Sequence, residues 1–170
     1  MLVDEGKLHW DDKVIDIIPD FRLYDPYVTR EITVRDLLTH RSGLGGTDLF
    51  WVFPENQYTQ TEMIRRLRYV HPSSSFRSQW DYQNVVYANG GYLVERVSGM
   101  PWATFVQKRM LDPVGMTESS ALVSQLPGKP HVATPHAEAH ENVRVVPIHS
   151  TDAVAPAGSV WSSVSDMSKW

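Results

Sequence analysis

The sequence predicts an α+β fold built mainly of short helices, with long loops between them and one short β-hairpin. Capping boxes, in which a Ser or Thr is followed three residues later by an acidic residue, open several short apolar runs. Alternation of apolar and polar residues at 143–146, beside the turn-like pair Glu141-Asn142, predicts the hairpin. The chain has 170 residues, of which 42% are hydrophobic, so it can form one packed domain or part of one.

The N-terminal segment is predicted to contain a helix end followed by a connector. Residues 1–6 have the pattern of the last turn of an apolar helix, with Gly6 just after its end. The next residues, 8–27, contain several Asp and Pro turn signals and only a brief apolar patch, made of Val14, Ile15, Ile17 and Ile18. We therefore expect a turn-rich connector there.

Two capping boxes predict the next helices. Thr33 and Asp36 open a helix that is expected to end before Ser42-Gly43. Thr59 and Glu62 open a second helix in the same way.

The longest helix is predicted in the middle of the chain. Its apolar stripe repeats at helical spacing and ends before Gly99; it consists of Val86, Gly90, Leu93, Val94 and Val97. Pro101 then suits the first turn of another helix, whose buried face would consist of Trp102, Phe105, Val106 and Met110.

Both ends of the sequence predict helices that extend beyond it. Residues 1–6 supply only a last turn, and Ser163 with Asp166 opens a helix that has only residues 167–170 left to continue it. We therefore expect residues 1–170 to be a partial domain, whose N-terminal and C-terminal parts lie outside this sequence.

Composition narrows the range of partners. The formal net charge of −4 argues against a nucleic-acid groove. The chain has no cysteine, which excludes disulfides, a thiol nucleophile and cysteine metal sites. Its apolar runs are too short for a transmembrane helix.

Four histidines near the predicted hairpin raise the alternative of a metal-binding hydrolase. They are His131, His136, His140 and His149, and Glu138 and Glu141 lie among them. In the run His-Ala-Glu-Ala-His the glutamate does not have the position that a His-Glu-x-x-His zinc motif requires. The period-two spacing instead predicts an exposed hairpin edge. We therefore expect the protein to use no metal and no organic cofactor.

The tripeptide Tyr82-Gln83-Asn84 lies where a loop meets the predicted central helix. A purely structural interpretation makes Tyr82 an aromatic packing residue and Asn84 a helix N-cap. His40, in the loop after an earlier helix, is expected to be a hydrogen-bonding structural residue rather than an acid or base.

Several segments, taken in order, resemble the serine β-lactamase-like family, which includes class C β-lactamases, D-Ala-D-Ala carboxypeptidases and related esterases and peptidases. These segments span nearly the whole chain; they are residues 32–44 (ITVRDLLTHRSGL), the Tyr-x-Asn region 80–92, and residues 95–99, 111–117 and 156–162. The resemblance implies a β-lactamase/transpeptidase-like fold, of which this chain would form mainly the helical region. It also implies a small-molecule or peptide acyl substrate, and a periplasmic or secreted location. It leaves the oligomeric state open.

The resemblance also implies roles for two residues. In this family the Ser of a Ser-x-x-Lys motif attacks an acyl carbonyl and forms an ester intermediate, which water then hydrolyses. Tyr82 would act as general base and then acid, and Asn84 would bind the acyl-side amide of the substrate.

The family's other two motifs are missing from these residues. The sequence contains no Ser-x-x-Lys, and no Lys-Thr-Gly or His-x-Gly. We therefore expect a serine acyl hydrolase whose nucleophile lies outside this chain. The alternative is a non-catalytic paralogue that lacks the nucleophile and binds peptidoglycan or peptides.

Overall fold

The computed structural model describes residues 1–46, 58–139 and 142–170, and most of the regular structure in these ranges is helical. The helices are α1 (Val14–Ile17), α2 (Pro26–Glu31), α3 (Val34–Leu38), α4 (Gln60–Arg66), α5 (Asn84–Ser98), α6 (Trp102–Val106), α7 (Ala155–Gly158) and α8 (Val164–Met167). Single turns of 3₁₀ or π type lie at Leu67–Tyr69, Gln107–Leu111, Asp112–Val114, Val123–Gln125 and Asp152–Val154. Strand β1 (His136–Ala139) pairs antiparallel with β2 (Asn142–Val145), and His136 lies opposite Val145. The predicted α+β class, mainly helical with a short hairpin, is confirmed.

The predicted helix starts at Thr33 and Thr59 are confirmed. The Asp36 carboxylate accepts a hydrogen bond from the Thr33 backbone N–H at 2.9 Å, and the Thr33 hydroxyl accepts one from the Asp36 N–H. Thr59 and Glu62 form the same reciprocal pair at the start of α4. Each box satisfies N–H groups that a helix start would otherwise leave without a partner.

The connector predicted between residues 8 and 27 contains a helix, α1, and the start of another, α2. The pair Asp25-Pro26, interpreted from sequence as a turn, begins α2: the Asp25 carboxylate accepts a hydrogen bond from the Tyr27 N–H at 2.7 Å. Pro26 is the first helical residue, where its missing N–H costs nothing. The connector prediction was therefore wrong in this part, because Asp-Pro is also a strong helix-start signal.

Ser163 begins α8 as predicted, but Asp166 does not complete a capping box with it. The Asp166 carboxylate instead accepts hydrogen bonds from the backbone N–H groups of Glu118 and Ser119, both at 2.9 Å. The hydrogen bond from Lys169, followed by those from Ser119 and Glu118, lowers the pKa of Asp166 to about 2. Asp166 therefore ties the C-terminal helix to the loop after residue 116.

Helix α5 lies at the centre of the core. Val86 and Leu93 on its apolar stripe have no exposed surface, and α1, α3, α4, α6 and α7 all contact this helix. The helix ends as predicted at Gly99, which has a φ of +71° and adopts the left-handed conformation that suits a glycine after a helix.

The contact between α5 and α7 depends on a glycine. A Cβ atom built on Gly91 would lie 2.0 Å from Cγ of Pro156, well inside van der Waals contact. The adjacent Gly90 meets only the flexible end of a side chain, with Leu38 Cδ2 at 2.8 Å from a Cβ atom built there. Gly91 therefore sets how closely α7 approaches the central helix.

An ion pair joins α3 to the loop that precedes α5. Arg77 donates to both carboxylate oxygens of Asp36, from Nε at 2.9 Å and from Nη2 at 2.6 Å. Burial alone would raise the pKa of Asp36, but the hydrogen bonds from Arg77 and Thr33 outweigh it and lower this pKa. Arg77 also exchanges two hydrogen bonds with Arg41: its N–H donates to the Arg41 carbonyl, and its carbonyl accepts from the Arg41 guanidinium.

Two glycine substitutions in the full-length protein test the close approach of α7. Gly91→Ala should lower the free energy of unfolding by about 1–3 kcal/mol, because the added methyl group overlaps a rigid proline ring. Gly90→Ala is the matched control: it gains the same helix propensity, about 1 kcal/mol, and meets a side chain that can rotate away. Chemical denaturation measures both. Equal free energies of unfolding for the two variants would contradict the packing argument.

A second pair of substitutions tests the Asp36–Arg77 ion pair. Asp36→Asn should cost about 1–3 kcal/mol, less than the 3–5 kcal/mol for a fully buried pair, because the Arg77 side chain is 43% exposed. Asp11→Asn, which breaks the exposed neighbouring pair with Arg35, should cost about 0–1 kcal/mol.

The pH dependence gives this test a second readout. Because the pKa of Asp36 is lowered, its stabilising effect is complete above the ordinary aspartate pKa of about 3.9 and is lost as the pH falls through the lowered value. The difference in free energy of unfolding between wild type and Asp36→Asn should therefore be constant from pH 5 to 7 and shrink only at lower pH. A difference that disappears at neutral pH would rule this account out.

Candidate functional site

Tyr82 and Asn84 flank a buried residue at the start of α5. Gln83 occupies the N-cap position in an extended conformation, and its buried side chain donates to the carbonyl of Leu44 at 3.3 Å. Gln83 is buried, whereas Tyr82 is exposed and Asn84 is half-buried. Tyr82 is 53% exposed, so it is not a core packing residue, and Asn84 is the first residue of the helix rather than its N-cap.

His40 fixes the backbone between these two side chains. Its Nδ1 accepts a hydrogen bond from the Gln83 N–H at 3.1 Å, and its carbonyl accepts one from the Asp81 N–H at 2.9 Å. The residue has a φ of +56°, in the left-handed region that few residues other than glycine adopt. The hydrogen-bonding role expected for His40 from sequence is confirmed, and its partner is the Tyr-x-Asn segment itself.

Aromatic rings surround the His40 imidazole. The ring centroids of His40 and Tyr82 are 4.7 Å apart, and Tyr87 stacks on the imidazole at 5.5 Å with an interplanar angle of 18°. Trp80, which is 63% exposed, meets the imidazole edge-on at 5.7 Å. The Tyr82 ring therefore has contacts on the His40 side while half of its surface remains exposed.

The motif residues line a cleft of about 360 Å³. One side is formed by His40, Tyr82, Asn84 and Tyr87, and the other by residues 155–158 of α7 together with Val160. Buried Ser159 holds the end of α7, because its hydroxyl donates to the Thr151 carbonyl at 2.9 Å. Because Pro156 belongs to this wall, its close approach to Gly91 sets how near α7 lies to α5 beside the cleft.

The cleft is electrostatically neutral as far as the described residues form it. No lysine or arginine lines it within residues 1–46, 58–139 and 142–170. Burial lowers the pKa of His40, which keeps its imidazole neutral at neutral pH. Hydrogen bonds from Ser74 and then from Gln79 lower the pKa of the nearby Asp81, and both bonds occupy its carboxylate.

The described histidines among those considered as metal ligands do not form a site with other acidic or histidine side chains. Among the residues that the structure describes, no group of three His, Asp or Glu side chains could hold a metal ion. His136 and Glu138 lie on β1, whose partner β2 is exposed along its length, as the hairpin interpretation predicts. His140 and Glu141 lie outside the described residues.

Two parts of the cleft were not identified as site residues from sequence. Tyr87 lies three residues after Asn84 in α5, and residues 156–158 were noted only as a family landmark. A one-turn spacing from the motif would have indicated Tyr87, because residues one turn apart share a helix face. The contribution of α7 depends on tertiary packing and has no local signal. In the described part of the chain, no helix is both long and apolar enough to cross a membrane.

Comparisons with known proteins agree with this fold. A family model described as Beta-lactamase matches residues 1–170. The chain is 28% identical over its whole length to the unguisins hydrolase ungD of Aspergillus violaceofuscus, of which it covers 32%. Over 69% of its length it is 29% identical to a putative D-alanyl-D-alanine carboxypeptidase of Escherichia coli, of which it covers 29%.

A solved structure shows the same architecture. The octameric penicillin-binding protein homologue from Pyrococcus abyssi superposes on 99% of this chain with a TM-score of 0.80 and 27% identity, and the chain covers 39% of it. The chain thus spans about a third of the length of each of these three proteins. Its fold is that of the β-lactamase/transpeptidase proteins, and by the match over its entire length the chain belongs to the β-lactamase family.

Proposed function

We propose that residues 1–170 supply the Tyr-x-Asn part of the active site of a serine acyl hydrolase, which cleaves amides or esters through an acyl-enzyme. The observation that carries this proposal is that Tyr82 and Asn84 line one cleft, with the Tyr82 ring half exposed. In this proposal the chain is part of a larger domain, and segments beyond it provide the nucleophilic Ser of Ser-x-x-Lys and the third motif. Membership of the family also supports a periplasmic or secreted location for the whole protein.

Tyr82 is proposed to move the proton in both halves of the reaction. Its phenolate takes the proton from the seryl hydroxyl as that oxygen attacks the acyl carbonyl, and it then passes the proton to the leaving group. In the second half it takes a proton from water and returns it to the seryl oxygen as the ester breaks.

A tyrosine ordinarily titrates near pH 10, so this role needs positive charge close to the hydroxyl. The described cleft residues carry no such charge, which is consistent with cations that come from the two missing motifs.

Asn84 is proposed to orient the substrate. Its side-chain amide has donors and an acceptor that suit the acyl-side amide of a peptide-like substrate. A substrate held at both the carbonyl and the acyl-side amide reaches the nucleophile in a productive geometry.

The alternative is a paralogue that keeps the cleft but binds peptidoglycan or peptides without cleaving them. The absence of Ser-x-x-Lys from residues 1–170 favours this alternative only if the full-length protein also lacks that motif. Formation of an acyl-enzyme by the full-length protein separates the two functions.

The role of Tyr82 predicts a slow but folded variant. Tyr82→Phe in the full-length protein keeps the ring and removes the hydroxyl, so turnover should fall by about 10²–10⁴-fold, the usual contribution of a positioned acid or base. Tyr69→Phe is the matched control, because Tyr69 is 75% exposed and does not line the cleft. Steady-state kinetics with thermal melts measure both. Wild-type turnover in folded Tyr82→Phe would show that the Tyr82 hydroxyl does not move the proton.

The role of Asn84 predicts a dependence on substrate type. Asn84→Ala should slow the hydrolysis of substrates that carry an acyl-side amide much more than that of simple esters, because a simple ester has no amide to bind. Steady-state kinetics on one substrate of each kind test this. A variant that slows both substrates equally would contradict the orienting role.

The isolated 170-residue chain should form no covalent adduct with a labelled penicillin or a fluorophosphonate, because it contains no Ser-x-x-Lys. The full-length protein should form a stoichiometric adduct if it is the proposed enzyme. Intact-protein mass spectrometry measures both. An adduct on any serine of the isolated chain would show that the nucleophile had been misplaced.

A further inference from the structure

We propose that His40 is a positioning residue that sets the direction of the Tyr82 side chain through a neutral imidazole with its proton on Nε2; this inference rests on the function proposed above for Tyr82. It deepens that function, because it assigns the atom that holds the Tyr-x-Asn backbone in place. His40 reaches the segment from a different loop, 43 residues earlier in the chain.

Two hydrogen bonds and two ring contacts hold the segment on His40. The imidazole Nδ1 accepts from the Gln83 N–H, and the His40 carbonyl accepts from the Asp81 N–H, so His40 bonds the backbone on both sides of Tyr82. The Tyr82 and Tyr87 rings then lie against the imidazole. With the backbone fixed on both sides and the ring supported on one face, little freedom is left to the Tyr82 side chain.

The Gln83 hydrogen bond defines the protonation state of His40. An imidazole nitrogen that accepts a hydrogen bond carries no proton, so the proton of neutral His40 is on Nε2. Protonation would put a second N–H on Nδ1, facing the Gln83 N–H, and would break the bond. The bond to Gln83 therefore exists only while the imidazole is neutral.

The surroundings of His40 favour the neutral form. In the described part of the chain, the titratable side chains against the imidazole are Tyr82 and Tyr87. The Asp81 carboxylate is bonded to Ser74 and Gln79, and the Arg41 guanidinium donates to the Arg77 carbonyl. Burial lowers the pKa of His40. The positioning bond is therefore present above this lowered pKa and is lost as the pH falls through it.

Two substitutions can remove the His40 side chain without adding strain to its left-handed backbone. Asparagine and glycine both tolerate a positive φ, so neither adds the backbone strain that alanine would. Asparagine Oδ1 is as many bonds from the backbone as histidine Nδ1 and also accepts a hydrogen bond, whereas glycine has no acceptor. Both variants lose the imidazole ring. A comparison of His40→Asn with His40→Gly therefore isolates the acceptor.

The experiment compares kinetics of four variants of the full-length protein: Tyr82→Phe, His40→Asn, His40→Gly and His71→Ala. His71 is the matched control, since its ring lies against that of Tyr24 and it does not line the cleft. We expect kcat of His40→Gly to fall by about 10–100-fold, because a displacement of a catalytic side chain by about 1 Å from its productive position can slow a reaction by this factor. His40→Asn should keep most of the wild-type turnover, and His71→Ala all of it.

A nuclear magnetic resonance measurement tests the protonation state separately from activity. In wild-type protein with isotope-labelled histidine, the His40 ring should be neutral with its proton on Nε2 at pH 7.5, and its titration midpoint should lie below the ordinary histidine pKa of about 6.5. The signal is assigned by its loss in His40→Asn.

The outcomes separate this inference from the proposed function. Slow Tyr82→Phe and His40→Gly, active His40→Asn and an Nε2–H ring support both. Slow Tyr82→Phe with full turnover in His40→Gly, equally slow His40→Asn and His40→Gly, or a His40 ring protonated on Nδ1 would overturn the positioning role alone. Wild-type turnover in Tyr82→Phe would overturn the proposed function, and the positioning role with it.

Discussion

The ion pair between Asp36 and Arg77 is the interaction on which the candidate cleft depends, because it ties α3 and the loop that follows it to the loop that precedes α5, and these two loops form one side of the cleft. Asp36 also caps α3, so the carboxylate that starts this helix holds the loop before α5 as well. Around this pair, Arg41 and Arg77 exchange hydrogen bonds, and the Gly43 carbonyl accepts from the N–H groups of Ser73 and Ser74. His40 and Tyr82 belong to these two loops, so their contact follows from the same pairing.

The sequence predicts local features of this structure well and tertiary features poorly. The capping boxes at Thr33 and Thr59, the glycine stop at Gly99 and the hairpin were predicted correctly, because each depends on neighbouring residues. The helix start at Asp25-Pro26 was interpreted as a turn, since the same dipeptide favours both structures.

The same difference between local and tertiary features applies to the candidate site. Tyr82 and Asn84 were identified from a motif and from the resemblance of ordered segments, and both line the cleft. The exposure of Tyr82, the partner of His40 and the wall formed by α7 were not predictable, because each depends on residues far apart in the chain. The Asp166 carboxylate shows how such contacts override local patterns: a residue expected to complete a cap binds the backbone at Glu118 and Ser119 instead.

The close approach at Gly91 has a consequence for the order of folding. Helices α3, α4 and α5 each carry their own start or stop signal, so they can form from local interactions. The opposite wall of the cleft meets α5 only when Pro156 reaches Gly91, which closes a long loop of chain and carries the entropy cost of that closure. Contacts between distant residues slow folding relative to local ones. The contacts of the helical framework are therefore expected to form earlier in folding than the contact that gives the cleft its second wall.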